Sequence, residues 1–149
     1  MTLHEAIEKK KILLCCGSGG VGKTTTAAAL ALEGARRGRK TIVLTIDPAK
    51  RLATALGLDA LSDEPREIGL GEPPSGGASG GGSYWAMMLD TKRTFDRIIE
   101  RYAPNASARQ SILKNRLYQQ MSGMIAGSQE YMAMERLYEI YQSGDYDLI

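Results

Sequence analysis

The stretch Gly17-Ser18-Gly19-Gly20-Val21-Gly22-Lys23-Thr24 decides how this chain is read. It matches G-x-x-x-x-G-K-[ST] at every fixed position, and it lies between a predicted strand and a predicted helix, the setting the pattern requires. Upstream, Lys11-Ile12-Leu13-Leu14-Cys15-Cys16 is a short apolar run ended by glycine, as a fully buried strand of a parallel sheet would be. Downstream, residues 24–37 are rich in Ala and Leu and close at Gly38, which predicts a helix with a C-terminal glycine stop. Residues 41–46 supply a second strand. Strand, glycine loop, helix and strand form one unit with a right-handed crossover.

Glycines let such a loop fold into a ring whose N–H groups, from Gly19 to Thr25, point inward at the positive end of the helix, toward a polyphosphate. The candidate phosphate-binding residues are therefore Gly17, Ser18, Gly19, Gly20, Val21, Gly22, Lys23, Thr24 and Thr25. Lys23 is expected to place its ammonium between the β- and γ-phosphates, and the Thr24 hydroxyl to complete the shell of a Mg²⁺ ion. Thr25 is expected to cap the helix and touch the α-phosphate. Asp47-Pro48-Ala49-Lys50-Arg51-Leu52 lies just past the carboxyl end of the second strand, where open α/β sheets bind ligands. Asp47 is the candidate for orienting water against the γ-phosphate, directly or through the Mg²⁺ shell. A cap or turn former before Pro48 is the plainer role, and the two are compatible.

The 149 residues carry 19 Lys+Arg against 17 Asp+Glu, a net charge of +2, with 43% apolar and 24% charged residues. That is the composition of one globular domain, and it gives no reason to expect a nucleic-acid partner. No run reaches the roughly 18 apolar residues a membrane span needs, and the charged start lacks a signal-peptide cleavage pattern, so the chain reads as cytoplasmic. Cys15 and Cys16 are adjacent and read as two buried strand residues, with neither a disulfide framework nor a zinc site between them. His4 has no ligand companions nearby in sequence.

Three regions are expected. Residues 1–62 form the phosphate-loop unit. Residues 63–83, with Pro65, Pro73, Pro74 and the run from Ser75 to Ser83, read as a flexible loop. Residues 84–149 hold a third strand at 84–89, a helical region at 91–143 broken near Pro104, Gly123 and Gly127, and a turn from Asp145 feeding a new strand, as in the N-terminal part of a longer protein. In the helical region Met121, Met124, Ile125, Met132 and Met134 fit a groove for varied apolar ligands. Leu117, Tyr118, Leu137, Tyr138 and Tyr141 recur as an ordinary core face does, and Lys92, Arg93, Arg97, Arg101, Arg109, Lys114 and Arg116 as a solvated face.

The loop, the interval of about twenty residues to the second strand, and Asp47-Pro48-Ala49 followed by Leu52, Ala55, Leu56 and Gly57 together resemble the arsenite-pump ATPases and the related ATPases that target tail-anchored membrane proteins. Ala126-Gly127-Ser128-Gln129-Glu130 through Glu135 is similar to that family's Pro-Gly-x-x-Glu-Ala-x-Ala-Phe segment. The resemblance implies a doubly wound, mostly parallel α/β fold of the P-loop NTPase type with an added helical subdomain. It implies ATP as the nucleotide, ATP hydrolysis, Asp47 as the first-switch aspartate, a homo- or heterodimer closed across the nucleotides, and a hydrophobic or membrane-protein client. Arsenite export is the weaker branch, because in the family it needs thiolates outside the nucleotide domain.

Two departures stand against the family pattern. Ser18 occupies the position of a second lysine that reaches the partner's site, which points to a heteromeric partner, to Lys50 or Arg51 sharing the charge, or to weak hydrolysis. Asp147 precedes its apolar residues instead of closing a strand, so these residues are expected to lack the second switch. Alone they should bind nucleotide weakly and hydrolyse little, the whole protein being the ATPase. Rival readings are a weakly hydrolysing regulatory subunit and a GTPase of the signal-recognition or metallochaperone class, although no Asn/Thr-Lys-x-Asp motif for guanine occurs within these residues.

Overall fold

The computed structural model describes residues 2–46, 51–70, 81–122 and 128–149. In chain order its elements are α1 (Leu3–Lys9), α2 (Lys23–Arg36), β1 (Lys40–Thr45), α3 (Arg51–Ala55), β2 (Arg66–Ile68), β3 (Ser83–Met88), α4 (Thr91–Tyr102), α5 (Ala106–Lys114), α6 (Arg116–Met121) and α7 (Ser128–Ser143). The sheet is mixed, in the order β1-β3-β2. β1 and β3 run parallel, with Thr41 beside Tyr84 and Val43 beside Ala86, and β2 joins the far edge of β3 antiparallel. The helix and the two longer strands of the sequence reading are present within one residue at each end.

The chain's last residues enter this sheet on the free side of β1. Thr41 and Leu148 form a parallel bridge, and Ile42 N donates to Leu148 O at 2.9 Å. Beyond them, Leu13 N donates to Ile149 O at 2.9 Å and Ile149 N to Lys11 O at 2.8 Å, the bond pair of a parallel pairing around Ile12. Residues 147–149 thus lie between the 11–13 run and β1. Their seat is specific. Asp147 Oδ2 accepts from Lys40 N at 2.8 Å, and Lys40 Nζ stands over the rings of Trp85 at 5.5 Å and Tyr146 at 5.1 Å. At Gly34 an added Cβ would lie 2.9 Å from Leu148 Cδ2 and 3.0 Å from Thr41 Cγ2, so any larger residue would have to displace these buried side chains.

Period-two alternation on the strands divides the core between the two faces of the sheet. On one face Ala28, Ala31 and Ala35 of α2 meet Val43, Tyr84 and Ala86, together with Leu52, Ala53 and Leu61. Alanine brings the helix near enough for the Tyr84 hydroxyl to donate to Ala28 O at 3.1 Å. On the other face Ile42 and Met87 pack with Ile140 of α7, flanked by Leu44, Trp85 and Tyr146. Where α2 ends over the start of β3, a Cβ on Gly82 would come within 2.2 Å of Ala35 O.

Several sequence expectations need correction. The stretch at 63–83 is not loop throughout, because β2 and buried Asp63 lie within its first part; residues 71–80 are outside the described ones. Cys15 is half-buried and Cys16 exposed. A strand's residues are buried only when it is flanked on both sides and covered on both faces, and among the described residues this run is paired only through Lys11 and Leu13. The predicted core face of the helical region is split, with Leu137 buried but Leu117, Tyr138 and Tyr141 exposed, and of the methionines read as a groove Met132 is buried whereas Met121 and Met134 are exposed. Met124 and Ile125, like Gly123 and Gly127, lie outside the described residues. The predicted solvated face fails at Arg97, which pairs with a buried carboxylate. Among the described residues no helix is long and apolar enough to cross a membrane.

Candidate functional site

The phosphate loop is held open by two left-handed glycines, Gly20 at φ 79° and Gly22 at φ 87°, a region that L side chains enter at a cost. Gly22 is the residue that starts α2, and no side chain caps that end. This corrects the expectation for Thr25, which sits inside the first helical turn. The first main-chain bond of the helix runs from Thr26 N to Gly22 O at 2.9 Å. The amides of Lys23, Thr24 and Thr25 therefore stand before the ladder begins, without a main-chain partner among the described residues, at the positive helix end where an anion is favoured.

Lys23 turns back over the loop, and its Nζ donates to Ser18 O at 2.7 Å. The tight neighbour of the first glycine is Val21, since a Cβ on Gly17 would lie 3.1 Å from Val21 Cγ2, whereas Lys23 Cγ and Cδ at 3.8 Å are at ordinary contact distance. Gly17, Ser18, Gly19, Gly20, Val21 and Gly22 are all exposed, while Lys23 and Thr24 are half-buried. The ring is open to solvent and its lysine is partly covered.

A cleft of about 600 Å³ is lined by Gly19, Gly20, Gly22, Lys23, Thr24 and Thr25 and also by Leu14, Leu44 and Met134 of α7. Ile46 and Arg51 both line it. The segment between them carries Asp47 and Lys50 and lies outside the described residues. Arg51, named beside Lys50 in the sequence reading, is thus brought to the cleft. Cys15 lines the same cleft, and burial, then the neighbouring Cys16, pushes its thiol pKa up.

These features fit a polyphosphate: bare amides at a helix start, glycines where a Cβ would strain the ring, and one tethered ammonium. Tyr84, on the core side of α2, has its hydroxyl pKa driven well above the tyrosine range by burial, so it serves as a neutral donor that fixes the helix.

ATPase GET3 of Malassezia globosa is 25% identical to this chain over 150 aligned positions, which cover 99% of the chain and 40% of that protein. ATPase ASNA1 homolog 2 of Paramecium tetraurelia is 54% identical over 54 positions, 35% of this chain and 17% of that protein. The putative arsenical pump-driving ATPase of Prosthecochloris vibrioformis is 43% identical over 58 positions, 39% of this chain and 14% of that protein. Against the GET3 relatives that it matches end to end, the chain spans 40% of their length. The family model for anion-transporting ATPases matches residues 10–149. The chain belongs to the anion-transporting ATPase family, and with it to the P-loop NTPases.

Proposed function

We propose that the whole protein binds ATP with Mg²⁺ and hydrolyses it to ADP and phosphate as a conformational switch, its site being the ring at Gly17 to Thr25. The carrying observation is the geometry at the start of α2, where uncapped amides, left-handed Gly20 and Gly22, and Lys23 folded to the mouth of the loop converge. The amides bind the phosphate oxygens. Lys23 exchanges Ser18 O for the β- and γ-phosphates, where its charge offsets the negative charge that builds up during transfer. The Thr24 hydroxyl holds Mg²⁺, which when bound neutralises charge on the phosphates. Asp47 orients the attacking water, in line with the departing phosphoryl. The finer architecture belongs to the same reading: a doubly wound, mostly parallel sheet with a helical subdomain.

Closure of a dimer across the nucleotides would couple hydrolysis to a hydrophobic or membrane-protein client. The exposed stripe Tyr131, Met134, Tyr138 and Tyr141 on α7, spaced three and four residues apart, supports an apolar client surface. Ser18 favours a second reading, a weakly hydrolysing subunit that depends on a lysine-bearing partner, because its hydroxyl carries no charge across an interface. Displacement of a fluorescent ATP analogue from the whole protein tests the first reading. Saturable binding with Mg²⁺, displaced by ATP, supports it; preferential displacement by GTP, or no saturable binding, contradicts it.

A further inference from the structure

Asp63 stands where the segment from α3 meets the helices. Leu52 and Ala53 of α3 and then Leu61 pack into the α2 core, and Ser62 O accepts from Met88 N at 2.8 Å. One residue later the Asp63 side chain, 3% exposed, enters a group of arginines from two helices. Arg93 Nη1 of α4 donates to its Oδ1 at 2.6 Å. Arg97 Nη2 stands 3.0 Å from Oδ2 and 2.5 Å from Glu64 Oε1. Arg136 Nη2 of α7 donates to the Asp63 main-chain oxygen at 3.1 Å, and its Nη1 to Glu139 at 2.7 Å.

We propose that Asp63 is a positioning residue, the joint through which the nucleotide end of the molecule sets the placement of α4 and α7. This rests on the reading of the phosphate loop as a nucleotide site. Two observations carry it. The chain from Arg51, in the wall of the cleft, to Asp63 is held in the core at Leu52, Ala53 and Leu61, so a shift of α3 reaches residue 63 with little slack. The arginine group is also under-saturated: among the described residues, Arg97 Nη1 and Arg136 Nε are buried with no hydrogen-bond partner, and Asp63 Oδ2 has only the ion pair with Arg97 and no hydrogen bond. Spare donors around one carboxylate let the pairs exchange without leaving a bare charge, the state that is expensive in a buried ion cluster.

The test is hydrogen exchange of the α4 and α7 amides in the whole protein, with and without ATP and Mg²⁺, in wild type and in Asp63→Asn. ATP should change exchange in wild type by about fivefold or more, and in Asp63→Asn by less than about twofold, with ATP affinity held within about threefold. Arg97→Lys, which keeps the charge but loses the fork joining Asp63 to Glu64, should act alike and serves if Asp63→Asn does not fold. Glu8→Gln, which removes an ion pair to Arg37 elsewhere, should leave the response intact. An undiminished response in the Asp63 and Arg97 variants, or a wild type that binds ATP without change in α4 and α7, overturns the joint alone. A wild type that binds no ATP removes the nucleotide reading and the joint with it.

Discussion

The phosphate loop and the arginine group around Asp63 are built in opposite ways. The loop is eight consecutive residues, exposed as far as Gly22 and half-buried at Lys23 and Thr24, and it presents main-chain amides whose direction is set by two left-handed glycines. The Asp63 group joins residues 30 and 73 positions apart, Arg93 donating to the buried carboxylate and Arg136 to the main-chain oxygen of the same residue. Local backbone geometry should therefore govern ligand binding, and the distant group should govern stability with little effect on binding.

Substitutions in the two places can break that contrast. The largest stability effect is expected at Asp63→Ala, which removes the carboxylate that Arg93 donates to and one of the two carboxylates facing Arg97 and should cost about 3 kcal/mol in urea unfolding, with ATP affinity shifted less than about threefold; an affinity loss as large as the stability loss would merge the two regions. Gly22→Ala forces a methyl group into a left-handed position and should cost about 1–2 kcal/mol, yet weaken ATP binding about tenfold, equal to about 1.4 kcal/mol, by turning the α2 amides away. Tyr84→Phe removes the bond to Ala28 O and should cost about 1 kcal/mol without altering ATP affinity.

A pH series sharpens the same point. Burial raises the pKa of the Tyr84 hydroxyl, and burial followed by the hydrogen bond to Asp96 raises that of Tyr118. Both groups keep their protons longer folded than unfolded, so their contribution to stability is complete below about pH 10 and is lost as pH rises beyond it. Urea midpoints should fall above that pH, and less steeply in Tyr84→Phe. The smallest effect is chemical: exposed Cys16 should be alkylated ahead of Cys15, as mass mapping after brief iodoacetamide treatment would show.

Legibility in the sequence follows the same division. The loop, the helix that ends before left-handed Gly38, and the longer strands were readable because each is encoded by neighbours: fixed glycines, an apolar run, a glycine stop. The capping box of Thr2 with Glu5 that starts α1, and Asn115, whose Oδ1 accepts from Leu117 N and Tyr118 N to start α6, are local signals too, although periodicity alone passes over them. β2 was not readable. Its residues Arg66, Glu67 and Ile68 have no strand pattern of their own and take their conformation from β3. The Asp63 group had no spacing to betray it, since only the folded sheet brings residue 63 against α4 and α7.

The central claim is that the ring before α2 holds a nucleotide with Lys23 as its cation. Calorimetric titration of the whole protein with ATP and Mg²⁺, wild type beside Lys23→Ala, tests it most directly. The account predicts a saturable isotherm for wild type and its loss in Lys23→Ala, with both proteins equally folded; equal affinity in the two, or no uptake by either, would contradict it.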